Sequence, residues 1–300
     1  MTADLAELFQ SAMTLLPALF AGAGVGFLSG MFGVGGGFLI VPVLNLALRV
    51  DMELAVGTGA CQVLGPATTS LLARRADLRN TRLPLTIAGG LLVGVFSGAH
   101  VLELAKLKGT VVLSGREIDA VELMVLAIYF ALLLSIGCFA FWESRREQAG
   151  GPRMLGRIAN WRIPPYGEFP EFERQTVSIV VLAWFGLTVG FVSGLLGMSG
   201  GLILMPGLIY LLGMKTQNAV ASSLVIVWIV SFQGTIAHAW HGNINLPLVV
   251  ALLIGGTIGA RIGSEAGLKL RGRNLRRRFS LMLLVTAALI GVSLLRLLLS

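Results

Sequence analysis

Val25-Gly-Phe-Leu-Ser-Gly-Met-Phe-Gly-Val-Gly-Gly-Gly-Phe-Leu-Ile-Val-Pro42 returns 164 residues later as Val189-Gly-Phe-Val-Ser-Gly-Leu-Leu-Gly-Met-Ser-Gly-Gly-Leu-Ile-Leu-Met-Pro206, with nine of eighteen positions identical. In each copy an apolar run meets clustered glycines, which interrupt a helix, and a short apolar segment then leads to a proline. Working outward, Ala55-Val56 matches Ala219-Val220, and after a one-residue slip Gly90, Gly94 and Gly98 match Gly255, Gly259 and Gly263. Glycine at every fourth position lets helix backbones approach closely, so the helices carrying these two ridges are expected to pack tightly.

The 300-residue chain is 55% hydrophobic and 13% charged, whereas soluble domains carry about 25% charged residues. An ordinary soluble protein is excluded. Apolar stretches lie near 11–30, 38–49, 55–73, 83–105, 121–141, 176–195, 202–213, 219–239, 246–268 and 279–299. The second and seventh, about 12 residues each, fall short of the roughly 20 needed to span a bilayer and read as half-helices, re-entrant elements or tilted helices. The polar stretch 143–175, with Pro152, Pro164, Pro165 and Pro170, divides the segments five and five. An odd number of crossings per half inverts the second half. The expected fold is therefore an all-α integral membrane protein of about ten transmembrane or half-membrane helices in two inverted five-helix repeats, 1–142 and 176–300, joined by the linker 143–175.

Seventeen of the 23 basic residues fall in loops on one side of this topology and five on the other. The positive-inside rule makes the linker cytoplasmic and both termini external, in a bacterial inner membrane periplasmic. Met1 to Gln10 contains Asp4 and Glu7 but no Lys or Arg, unlike a cleavable signal peptide, so the first apolar stretch is expected to be retained.

The net charge of +8 lies between apolar stretches and not along one face, which argues against nucleic acid. Arg271 to Arg278 reads as a topology determinant that can also meet anionic lipid headgroups. Cys61 and Cys138 form no paired spacing. Within the membrane the sequence offers no paired carboxylates, metal-ligand spacing or nucleophile with a base, so no enzyme and no cofactor is expected.

What the chain does offer suits a small anion. Backbone N–H groups exposed at a helix start, with the helix dipole behind them, favour negative charge, and broken helices in inverted repeats place such sites near mid-membrane. The expected donors are Gly35, Gly36, Gly37, Ser199, Gly200 and Gly201, with Gly33 and Gly197 shaping the breaks. Ser29, Ser193, Thr58, Ser222, Ser223, Gln62 and Gln233 would complete the shell. Arg261, opposite Phe96 in the first copy, has two readings: a bidentate counter-ion, or a surface partner of Glu265 one turn on. His238 and His241, beside Trp240, could take up protons, but an interfacial anchor is the simpler account.

The doubled glycine signature, with Ala-Val-Gly-Thr at 55–58 and Ala-Val-Ala-Ser-Ser at 219–223, resembles the sulfite exporter TauE/SafE family, also called the 4-toluene sulfonate uptake permease family, over roughly 20–105 and 180–270. The resemblance implies a membrane transporter of sulfite or small sulfonate anions working by alternating access as an exporter. A passive anion channel, or an importer of other small organic anions, is the alternative. The expected partners are this anion and membrane lipids, with a homo-oligomer formed through the glycine ridges also open.

Overall fold

The computed structural model of the chain describes residues 2–74, 82–107, 109–113, 116–148, 161, 163–170, 172, 176–198, 200–270 and 272–299. In chain order its helices are α1 (Thr2–Phe32), α2 (Gly37–Pro42), α3 (Met52–Gln62), α4 (Leu64–Ala73), α5 (Arg82–Leu107), α6 (Ala120–Gln148), α7 (Ile179–Leu196), α8 (Gly201–Pro206), α9 (Thr216–Trp240), α10 (Leu246–Lys269) and α11 (Gly272–Leu299). Seven of these, α1, α5, α6, α7, α9, α10 and α11, hold a stretch long and apolar enough to cross a membrane.

The other three expected segments take different forms. The second and seventh are the six-residue α2 and α8, each continued by a five-residue π-helical turn, Val43–Ala47 and Gly207–Leu211. Pro42 and Pro206 stand at the two junctions. A proline has no N–H to give to the carbonyl four residues back, and beyond each of these two the ladder widens: Leu48 N–H reaches Val43 O at 3.3 Å and Leu212 N–H reaches Gly207 O at 3.1 Å. Eleven residues rise only about 16 Å, half a hydrocarbon core. The third segment breaks at Val63 into α3 and α4, because Pro66 in the first turn of α4 cannot donate to the Gln62 carbonyl. Its proline-free counterpart α9 is continuous.

Two loops fold beyond the all-α expectation. Strands β1 (Thr110–Leu113) and β2 (Arg116–Asp119) form one antiparallel hairpin, and β3 (Tyr166–Glu168), in the expected linker, pairs with β4 (Thr176–Ser178), just beyond it, in another. Helix α6 also runs on to Gln148, past the boundary expected at 142.

Most helix packing joins the first half of the chain to the second: α1 lies along α10, α5 along α7, α6 along α11, and α3 and α4 against α9. The glycine ridges explain the first two pairs. A Cβ on Gly22, Gly26 or Gly30 of α1 would strike the carbonyl of Leu252, Gly256 or Ala260 on α10, and one on Gly255, Gly259, Gly263 or Gly267 would strike Leu19, Ala23, Phe27 or Met31 in return. In the other pair Gly90, Gly94 and Gly98 of α5 meet the carbonyls of Ala183, Leu187 and Phe191, while Gly186, Gly190 and Gly194 of α7 meet Ile87, Leu91 and Val95. The ridges of α5 and α10 thus pack tightly as expected, each against the first membrane helix of the other half. Without side chains between them the backbones touch, and Cα–H groups lie on carbonyl oxygens.

The same contacts fix helix directions. Partners advance together along α1–α10 and α5–α7, so both pairs are parallel. In α6–α11, Gly137 meets Leu283 and Leu284 while Gly291 meets Phe130, and in α9 Gly234 meets Ala60 of α3 while Trp228 reaches Thr68 of α4. Those pairs are antiparallel.

Gly94→Val must part α5 from α7 and is expected to destabilise the fold by about 1–3 kcal/mol or more, read as a fall in the melting temperature of detergent-purified protein. Gly89→Ala, whose added Cβ meets nothing within 4 Å, should be neutral or slightly stabilising.

Candidate functional site

Where α1 ends, Gly33, Gly35 and Gly36 take φ of +73°, +77° and +78°, and where α7 ends, Gly197 and Gly200 take +62° and +68°. These left-handed angles strain any residue with a side chain, which is why glycine recurs here in both copies. The breaks are buried and abut: a Cβ on Gly201 would fall on the Val34 carbonyl. They are also braced crosswise. Gly33 packs against Val220 of α9, and Gly197 against the carbonyl of Val56 in α3, Val56 and Val220 being counterparts at the 164-residue offset.

The expected ligand shell separates into groups that are already engaged and groups that are free. The one Ser223 hydroxyl hydrogen is shared between Gly33 O at 2.7 Å and Val220 O at 2.9 Å, stapling the first break to α9. Ser193 Oγ donates to the Met198 carbonyl, and the Gly200 N–H to Met198 O at 2.7 Å. Thr58 Oγ1 accepts from Asn245 N–H at 3.1 Å and so anchors the turn between α9 and α10. These four were expected to face an anion, but each is committed within the fold.

The free set is smaller. No acceptor among the described residues takes the N–H groups of Gly35, Gly36 or Gly37. Ser29, against which Gly36 packs, is fully buried with its hydroxyl unpartnered. Gln62 is fully buried at the end of α3 with both amide atoms unpartnered, and Gln233 of α9 leaves its Oε1 bare. The α3–α9 register that sets Gly234 on Ala60 brings these two amides to one level. Burying an amide without a partner costs about 1–3 kcal/mol, so this level is polar at the expense of stability.

Two further expectations lie elsewhere. Ser222 is half-buried on α9. Arg261 lies on the exposed face of α10, paired through Nε with Glu265 Oε1 at 3.0 Å; the surface reading holds and the guanidinium does not join the breaks. Ser199 lies outside the described residues. Of three cavities, the one at Asp51–Glu122 stands away from the breaks, whereas the apolar ones at Trp161–Trp184 and Phe139–Tyr210 both reach Ile203 of α8, and the first also reaches Val189, on which Gly200 packs.

Two residues were undervalued in the sequence. Arg74, counted there only as a loop charge, donates through Nη2 to Gly30 O at 2.8 Å and Met31 O at 3.1 Å, closing the end of α1. Burial pulls its pKa down to about 10, so it stays cationic at neutral pH. His238 is fully buried and not interfacial, with Nε2 3.1 Å from Gly194 O near the end of α7. Tracing the 164-residue offset one helix further would have singled out both.

Residues 18–290 match the family described as Sulfite exporter TauE/SafE. Among curated proteins, the chain is 26% identical to a probable membrane transporter protein of Xylella fastidiosa over 91% of this chain and 94% of that one. It is 23% identical to the probable membrane transporter protein YunE of Bacillus subtilis over 88% and 92%, and 24% identical to the probable membrane transporter protein MJ0441 of Methanocaldococcus jannaschii over 88% and 91%. No solved structure matches. A match spanning nearly the whole chain, on a scaffold of seven apolar helices around two glycine breaks, makes this a multi-pass membrane protein that belongs to the sulfite exporter TauE/SafE family of membrane transporters.

Proposed function

We propose that the protein is a secondary transporter that carries sulfite or a small organosulfonate out across the bacterial cytoplasmic membrane by alternating access, with no covalent change to its cargo. The observation that carries this reading is the level where the two breaks abut, with the free amides of Gly35, Gly36 and Gly37 near the unpartnered Ser29 hydroxyl. The Gln62 and Gln233 amides extend that polar level into the α3–α9 pair. Neutral donors of this kind replace the hydration shell of an anion without fixing a counter-charge, so release stays possible. Gly33, Gly197, Gly200 and Gly201 shape the breaks, Ser193 and Ser223 hold them in place, and Thr58 anchors the turn between α9 and α10.

The two halves are read as inverted repeats. Supporting this, counterpart segments run antiparallel, α6 to α11 and α3–α4 to α9, while the first helix of each half runs parallel to the fourth of the other. Rocking of the α1–α10 pair against the α5–α7 pair would then expose the breaks to each side in turn. We read the linker as cytoplasmic and both termini as periplasmic, supported by the excess of Lys and Arg in the loops on one side.

Uptake and efflux of labelled sulfite in proteoliposomes, with taurine, sulfoacetate, sulfate and acetate as competitors, test the reading; flux no greater than in empty liposomes would overturn it. Gly36→Val and Gly200→Val are expected to abolish flux with the protein still inserted, and normal flux in both would remove the breaks from the path. Gln62→Leu removes a buried unpaired amide, so thermal stability should hold or rise while sulfite flux falls about tenfold, one lost hydrogen bond to an anion. Arg261→Gln breaks only an exposed pair of small energetic weight and should leave flux unchanged.

A further inference from the structure

Arg74 and His238 are counterparts at the 164-residue offset, and so are Gly30 and Gly194, whose carbonyls they hold. The same clamp on the last turn before a glycine break is therefore made twice, once by a permanent cation and once by a titratable ring. The acceptor at Gly194 is a carbonyl, so the His238 nitrogen that meets it carries the hydrogen. That leaves Nδ1 as a bare lone pair, fully buried and without a partner.

We propose that His238 is the proton-binding site through which this transporter is coupled: Nδ1 takes up one proton while Nε2 stays on the Gly194 carbonyl. The inference rests on the transport reading above. The neutral imidazole becomes an imidazolium at the C-terminal end of α7, where the helix dipole favours a cation. Its Nε2–H···O bond becomes charge-assisted and roughly twice as strong, matching the Arg74 clamp. The second break, which begins at Gly197, is held tightly when His238 is charged and is free to move when it is neutral. The first break stays clamped throughout, so proton release and movement of the second break are one event.

The titratable groups facing this end of α9 are few. Helices α7 and α8 carry none. Helix α5 brings His100, Glu103 and Lys106, and α3 brings Cys61, beside Thr235 one turn back from His238, and Glu53, which pairs with Lys106 at 3.3 Å. On its own element His238 has His241 one turn on. Among these Glu103 keeps a buried Oε2 without a hydrogen-bond partner.

The test uses the full chain in proteoliposomes. One proton per cycle lets a pH gradient of one unit hold about a tenfold sulfite gradient. His238→Gln keeps a neutral donor but cannot titrate: sulfite counterflow should persist while gradient-driven accumulation falls to onefold. His238→Arg clamps permanently and should slow counterflow about tenfold. Accumulation that survives in His238→Gln overturns the proposal. Should both variants lose counterflow, the imidazole 15N resonances of the wild-type protein decide: titration of His238 between about pH 4 and pH 8 supports the site, and its absence overturns it. A wild-type protein that moves no sulfite defeats the transport reading alone, and the same resonances still decide whether His238 takes the proton.

Discussion

Backbone lying directly on backbone is the constraint from which the rest of the molecule follows. Lipid supplies no hydrophobic drive to bring two apolar helices together, so α1 and α10, and likewise α5 and α7, are held by contact area that only glycine makes available. Both pairs join one half of the chain to the other. The four helices form the frame within which the two short helices, the π turns and the glycine breaks are held at their positions. Neither half has a complete partner set of its own.

The ridges were plain in the sequence, because a glycine every fourth residue has one physical use on a helix in lipid. Their partners were not: Gly90, Gly94 and Gly98 state that something comes close, and nothing in their spacing says that it is α7. The short second and seventh segments were likewise legible from length, whereas nothing in their composition announces the π turns that follow Pro42 and Pro206. The break at Val63 comes from Pro66, which cannot donate to the Gln62 carbonyl. Both hairpins escaped notice since their strands are three or four residues long and lie in loops that composition marks only as polar.

At the site, the breaks are legible in the sequence, but which hydroxyls the fold itself engages is not. Ser223, Thr58 and Ser193 have the right chemistry and the right place, but serine and threonine turn readily to nearby carbonyls and amides, and each has done so. The amides of Gln62 and Gln233 were named with less reason and remain unsatisfied. Arg261 drew notice for its charge within an apolar run, yet helical geometry sets it one turn from Glu265 on the outer face. His238 shows the reverse error. Its neighbour Trp240 suggested a surface, and only tertiary packing reveals that the ring points inward to Gly194.

The interlocked frame bears on how the protein is made. At about 5–20 residues per second, the 230 residues that separate Gly22 from its partner Leu252 take on the order of 10 to 50 s to synthesise. Throughout that time α1 sits in the bilayer with its glycine face against lipid or against the insertion machinery. A nascent chain that stops after five apolar segments has all its first-half sequence but lacks the main packing partner of both α1 and α5. Quality control that recognises unpaired glycine faces would therefore see every incomplete product as unfolded until the ninth apolar segment has entered the membrane.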